Sequence, residues 1–264
     1  MIDMNKAMRE FKEYVSHYDM NIPSIRLKVV HTYEVVKCTK MLCEKLNLSQ
    51  EQTSLACLIG LLHDIGRFEQ WVKYQSFADY KTIDHALFSS ELLFEKGYIR
   101  HFIEDTQYDE IIRHAIEQHN KYKIDNGFDD ETLLYIHLIR DSDKLDNFRV
   151  KEEEKIEDLL YASLEDVNQE YISKDVYDQF SHQQLIYGPT RQTKIDMWLS
   201  YIAFIFDLHF QVSKDYIREK NYVGRSFKRL QPINKEVNKQ YHQLEDIALD
   251  FIERGALCKE KQKN

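Results

Sequence analysis

Apolar residues along the first half of the chain recur at the helical period. From Leu27 to Leu46 the positions Leu27, His31, Val35, Cys38, Leu42 and Leu46 fall at steps of four and three, which places them on one face of a helix turned toward a core. Ser49 can cap a second helix, whose Leu55, Leu58, Ile59 and Leu62 lead into His63-Asp64 and which Gly66 is expected to stop. A less regular stretch, Phe68 to Lys81, carries Trp71, Tyr74, Phe77 and Tyr80 and is expected to wrap one side of whatever the helices enclose. Asp84 can cap a third helix bearing His85, Phe88 and Leu92, ended by Gly97. A fourth, near Tyr108 to Asn120, aligns Ile112, Ala115, Ile116 and His119, and a fifth, from Glu131, aligns Ile136, Ile139 and Asp143.

The acidic run from Lys151 to Asp158 reads as a solvated break. Beyond it the pattern stays helical, with Trp198, Ile202, Ile205 and His209 on one stripe, a turn at Gly188-Pro189 and another within Tyr222 to Pro232. No internal repeat is visible, and the charged C-terminal end is expected to fray. The expectation is an all-α protein: a helical core over residues 1–150 and, over 151–264, either a helical extension packed on that core or a surface for a homodimer.

Composition supports this. Seven Gly and three Pro in 264 residues leave little turn material, and 43% apolar residues suffice for a core. The net charge of −9 argues against a long nucleic acid as partner, because phosphate-backbone binding leans on a basic surface. The longest apolar stretch, Trp198 to Phe206, is too short to span a bilayer, and the N-terminus lacks the apolar core of a secretion signal. Cys38, Cys43, Cys57 and Cys258 form no Cys-x-x-Cys pair. The first three, at helical apolar positions, read as reduced cysteines of a cytoplasmic protein.

What stands out is chemistry on the apolar faces. His31, His63, His85 and His119 each fall on or beside one, joined by Asp64 and Asp143. A lone histidine there is an ordinary hydrogen-bonded core residue; several costly groups on several helices are better explained by one shared cation, and imidazole with carboxylate suits Mn, Fe, Ni or Zn. His114 and His119 stand five positions apart, about 140° around a helix at about 100° per residue, so both cannot easily serve one site. His119 shares the face of Ile112, Ala115 and Ile116 and is preferred, with His114 as the fallback. Asp141 and Asp146 are expected outside the ligand set or in solvent. His17, His101, His137, His182, His209 and His242 show no spacing that assigns them a role.

The order His, His-Asp, His, His, Asp, with the local words His63-Asp64-Ile65-Gly66-Arg67, Asp84-His85-Ala86, Ile116-Glu117-Gln118-His119-Asn120 and Asp141-Ser142-Asp143-Lys144-Leu145-Asp146, resembles the HD-domain superfamily of metal-dependent phosphohydrolases, in its six-ligand version. The resemblance spans about residues 24 to 150. It implies that His31, His63, Asp64 and Asp143 hold one divalent ion (Mn, Fe, Ni, Mg or Zn), that Asp64 bridges to a second held by His85 and His119, and that a hydroxide generated there attacks phosphorus. Arg67 would clasp phosphate, Lys144 would neutralise another oxygen, and Lys28 matches a basic residue usual in the family.

The implied substrate is a nucleotide or other small phosphorylated metabolite, as monoester or diester. Aromatics between Phe68 and Tyr80 could stack on a base, and Arg191, Lys194, Arg225 and Lys228 could complete an anion pocket. Two other readings share the ligands: a di-iron oxygenase resembling inositol oxygenase relatives, and a non-catalytic regulatory protein that binds metal or nucleotide without turnover.

Overall fold

Helix α1, Met4–Ser16, starts where the Asp3 carboxylate accepts from Lys6 N, and it turns Ala7, Phe11 and Val15 inward at four-residue steps. Helix α2, Pro23–Lys45, opens on a proline, whose missing N–H costs nothing in a first turn. The Ser49–Gln52 capping box starts α3, Gln50–Leu62, in which every residue from Ser54 to Leu62 is buried. Burial on all sides makes α3 the axis of the first half, each of its Leu and Ile side chains contributing about 1.5–3 kcal/mol. Gly60 lets α2 approach, since a Cβ there would stand 3.1 Å from Thr39 Oγ1.

The computed structural model describes residues 2–260, with side chains as far as 254. The charged C-terminal end and the Cys258 thiol lie outside the described residues. No strand occurs among the described residues, and the all-α expectation holds. Cys43 and Cys57 are buried free thiols, and Cys38 is half-buried. Among the described residues no helix is long and apolar enough to cross a membrane.

Gly66 does not stop a helix. Helix α3 ends at Leu62, His63 to Ile65 make a tight turn, and Gly66 opens α4, Gly66–Tyr74. The glycine is there for space: a Cβ would meet Ser89 N at 2.8 Å and Ser89 Oγ at 2.9 Å. Much of the stretch read as irregular is therefore helical, and only residues 75–84 form a loop, around a single 3-10 turn at Asp79–Lys81. Asp84 caps α5, His85–Ser90, as expected, and one π turn, Glu91–Glu95, carries it to Gly97 at φ +75°. Helix α6 is Ile99–Phe102, α7 is Asp109–Gln118, and α8 is the long Asp130–Glu153.

Packing divides the chain into Met1–Asp146 and Asn147–Asn264, a division that falls inside α8. The second unit comprises α9 Ile156–Leu160, α10 Leu164–Gln169, α11 Lys174–Ser181, α12 Lys194–Ile202, α13 Gln211–Glu219, α14 Tyr222–Phe227 and α15 Lys235–Glu260. Trp198, Ile202 and Ile205 are buried as their stripe requires, with Trp198 Nε1 donating to Ser226 O at 3.2 Å. Gly188–Thr190 is the expected turn. The turn expected within Tyr222 to Pro232 falls at Lys228-Arg229, directly after the short helix α14, and Asn221 before that helix takes the left-handed conformation (φ 50°).

Candidate metal centre

Five elements of the first unit deliver six side chains to one place. His31 comes from the middle of α2, His63 and Asp64 from the turn closing α3, His85 from the first residue of α5, His119 from the end of α7 and Asp143 from α8. His63 is fully buried, and His31, Asp64, His85 and His119 are 3–5% exposed.

Two ligand groups share Asp64: His31, His63 and Asp64 form one, and Asp64, His85 and His119 the other. Asp64 Oδ2 lies 3.6 Å from His63 Nε2 and 3.8 Å from His31 Nε2. Its Oδ1 lies 3.3 Å from His85 Nε2 and 3.8 Å from His119 Nε2. Asp143 Oδ1 joins the first group, 3.1 Å from His31 Nε2 and 3.9 Å from His63 Nε2.

The outer nitrogens fix the tautomers. His63 Nδ1 is 2.8 Å from Gly60 O and His119 Nδ1 is 2.6 Å from Ile116 O, and a carbonyl can only accept, so both Nδ1 atoms carry the hydrogen. His31 Nδ1 lies 2.6 Å from Asp146 Oδ2, and His85 Nδ1 lies 2.5 Å from Asp79 Oδ2, which places their hydrogens likewise. All four imidazoles thus direct Nε2 lone pairs inward. His85 Nε2 and His119 Nε2 face each other at 3.0 Å, and His31 Nε2, His63 Nε2 and Asp64 Oδ1 are buried with no hydrogen-bond partner. Lone pairs crowded in this way repel one another; a divalent cation turns each into a bond, and the residues present fit one.

The protonation preferences agree. Burial pushes His63 and His119 below the usual imidazole value, keeping them neutral. Burial opposes ionisation of Asp64, but Lys28, His63, His85 and Arg67 outweigh it and hold the carboxyl well below its usual range. Burial likewise opposes ionisation of Asp143, whose side chain is 20% exposed, but His31 Nε2 at 3.1 Å outweighs it and holds the carboxyl low. For His31, burial and Lys28 favour the neutral ring, yet Asp143 and Asp146 win and its pKa is raised.

Two cations border the centre. Lys28 Nζ lies 2.7 Å from Asp64 Oδ2, and Arg67 Nε lies 3.6 Å from Asp64 Oδ1. The Phe77 ring sits under both, 5.9 Å from Lys28 Nζ and 5.7 Å from Arg67 Cζ. Arg67 also donates to Gln70 Oε1 on its own helix and clamps the 75–84 loop through Phe77 O and Asp79 Oδ1. Lys144 is buried and donates to Arg140 O at 3.3 Å, one turn back on its own helix.

His114 stays outside the cluster, 3.6 Å from Glu110 and packed on Phe128. Asp146 is the buried acceptor that orients His31. Asp79, which orients His85, was not singled out from the sequence, since nothing marks one loop carboxylate among many. Nor was Arg140, whose guanidinium donates to Gln118 O, His119 O and Lys121 O and so anchors the end of α7 that carries His119.

A family model described as the HD domain matches residues 29–148, the stretch from two residues before His31 to five beyond Asp143. No curated protein and no solved structure matches the chain. The chain carries an HD domain at residues 29–148, a domain of metal-dependent hydrolases.

Proposed function

We propose that this protein hydrolyses the phosphate ester, mono- or diester, of a nucleotide or other small phosphorylated metabolite, with one or two divalent ions held by the six side chains. The observation that carries the reading is the convergence of four imidazole Nε2 atoms on the Asp64 carboxylate. In this reading His31, His63, Asp64 and Asp143 hold one ion, and His85 and His119 share Asp64 with a second. A bound divalent ion supplies Lewis-acid charge to the phosphoryl oxygens and a water of lowered pKa.

The chain's own groups do the rest. Lys28 and Arg67 bring two positive charges to the border of a buried carboxylate, where a phosphoryl group is otherwise repelled by Asp64 and Asp143. Asp79 and Gln70 fix the Arg67 guanidinium beside the centre, leaving Arg67 Nε, buried and without a hydrogen-bond partner, as a donor in place. The Phe77 ring faces both charged groups, 5.9 Å from Lys28 Nζ and 5.7 Å from Arg67 Cζ, within cation–π range. In this assignment Lys28 takes the charge-neutralising part first given to Lys144. Asp146 and Asp79 hold His31 and His85 in the ligating tautomer.

The test is an activity panel of nucleotides, cyclic nucleotides and sugar phosphates with Mn²⁺, Fe²⁺, Ni²⁺ or Mg²⁺. Ester cleavage by the wild type that is abolished in folded Asp64→Ala supports the reading. A metal-loaded, folded wild type inert on both ester types refutes it.

A further inference from the structure

Away from the metal centre, α1, α4 and the α6 turn enclose a cleft of about 280 Å³. Its walls carry three carboxylates, Glu10, Glu13 and Glu69, and three phenol rings, Tyr14, Tyr18 and Tyr98. Two histidines and Phe102 complete the lining, and no lysine or arginine contributes to it. None of these residues belongs to the ligand set or borders Asp64.

The formal charge of the lining calls for a cation. Among the described residues, the side chains close enough to chelate a single ion are those around Asp64 and the Asp79, Asp84, His85 group; the three glutamates are not among them. An inorganic ion needing several oxygens at bonding distance is therefore a poor fit. Aromatic walls instead favour a weakly hydrated organic cation. The Tyr14 and Tyr98 rings stand 6.1 Å apart at 81°, and Tyr14 and Tyr18 5.4 Å apart at 56°, so the rings meet at corners with faces turned different ways. Such corners hold substituted ammonium groups through cation–π attraction.

The hydroxyls hold the rings in place. Tyr18 Oη lies 2.8 Å from both Glu69 Oε1 and Tyr14 Oη, and Tyr14 donates to Ile65 O at 3.2 Å, one residue beyond Asp64. Burial pushes both phenols far above their usual value, so they remain neutral walls and the negative charge stays on the glutamates. The volume is at the small end for ligand pockets, enough for an ammonium head group with a short tail and too little for a nucleotide.

We propose that this cleft is a binding site for a small organic ammonium ion, caged by Tyr14, Tyr18 and Tyr98 and charge-paired by Glu10, Glu13 and Glu69. The test is calorimetric titration of the full chain with choline chloride at constant ionic strength, beside sodium chloride and the uncharged isostere 3,3-dimethylbutanol. Choline is expected to bind saturably and about tenfold or more tighter than the isostere. Tyr98, 39% exposed, can be changed without opening the core. Tyr98→Ala should weaken choline about tenfold, and Tyr98→Phe should leave it within about twofold. Choline binding no tighter than the isostere, or unchanged by Tyr98→Ala, overturns the proposal. The readout requires no metal and no turnover, so its failure leaves the hydrolase reading untouched.

Discussion

Lys28 Nζ lies 2.7 Å from Asp64 Oδ2, so the carboxylate shared by both ligand groups is already paired with a positive charge from α2. In the metal-free protein that ammonium offsets part of the cost of burying Asp64; a bound cation takes over the task. Lys28→Ala should therefore cost about 1–2 kcal/mol of stability in EDTA, a buried-pair loss reduced because the Lys28 side chain is 21% exposed, and much less in saturating Mn²⁺. Urea denaturation under both conditions measures the difference. In turnover the same variant should lose about 10²-fold in kcat, as expected for one charge-stabilising donor.

The carboxylates behind the histidines act through them. Asp146→Asn weakens the acceptor at 2.6 Å from His31 Nδ1, and Asp79→Asn the one at 2.5 Å from His85 Nδ1. Each should lower Mn²⁺ affinity about 10–100-fold with little change in fold, read by metal titration alongside circular dichroism.

The pH dependence follows from His31. Its folded pKa lies above the ordinary 6.5, so its protonated ring stabilises the metal-free fold below that value, and the contribution is lost as pH rises through the folded pKa. A cation needs the same Nε2 unprotonated. Mn²⁺ affinity should accordingly fall as pH drops through the folded pKa, by about tenfold per pH unit for one displaced proton. Affinity that stays flat through that range would contradict the assignment of His31.

Gly66 is required for space. A methyl group there would sit 2.8 Å from a backbone nitrogen of α5, which cannot swing aside as a side-chain tip can. Gly66→Ala should destabilise the protein by about 1–3 kcal/mol and, by shifting the turn that carries Asp64, weaken metal binding as well. Thermal denaturation and Mn²⁺ titration of the variant check both effects.

The two histidines near the end of α7 should behave oppositely. His114→Ala, at a half-exposed position paired with Glu110, should leave metal affinity within about twofold, whereas His119→Ala should reduce it by about 10² or more.

Much of this centre could be read before any coordinates, because burial and helical period are encoded together. His31 lies on the same stripe as Val35 and Leu42, and the angle between His114 and His119 separates a residue of the buried cluster from one outside it. Asp84 and Ser49 cap where their side chains indicate. Failures came where the decisive contact is distant in sequence. Gly66 looks like a helix stop because glycine is a poor helix former, but its function is to admit Ser89, 23 positions later. Residues 68–74 looked irregular because their helix shows only part of itself to the core, with Phe68 and Gln70 buried while Val72 and Tyr74 are exposed. Asp79 acquires meaning only once the 75–84 loop is placed beside His85, and Lys28, already marked by the family resemblance, becomes a partner of Asp64 only once α2 is placed.

The central claim, that the inward Nε2 atoms and Asp64 hold metal, is tested most directly by anomalous diffraction from crystals of the Mn²⁺-loaded protein at the manganese edge. The account predicts one or two peaks at bonding distance from Asp64 and the Nε2 atoms of His31, His63, His85 and His119. Diffraction showing these side chains with no anomalous peak among them, under conditions where Mn²⁺ saturates the protein, would contradict it.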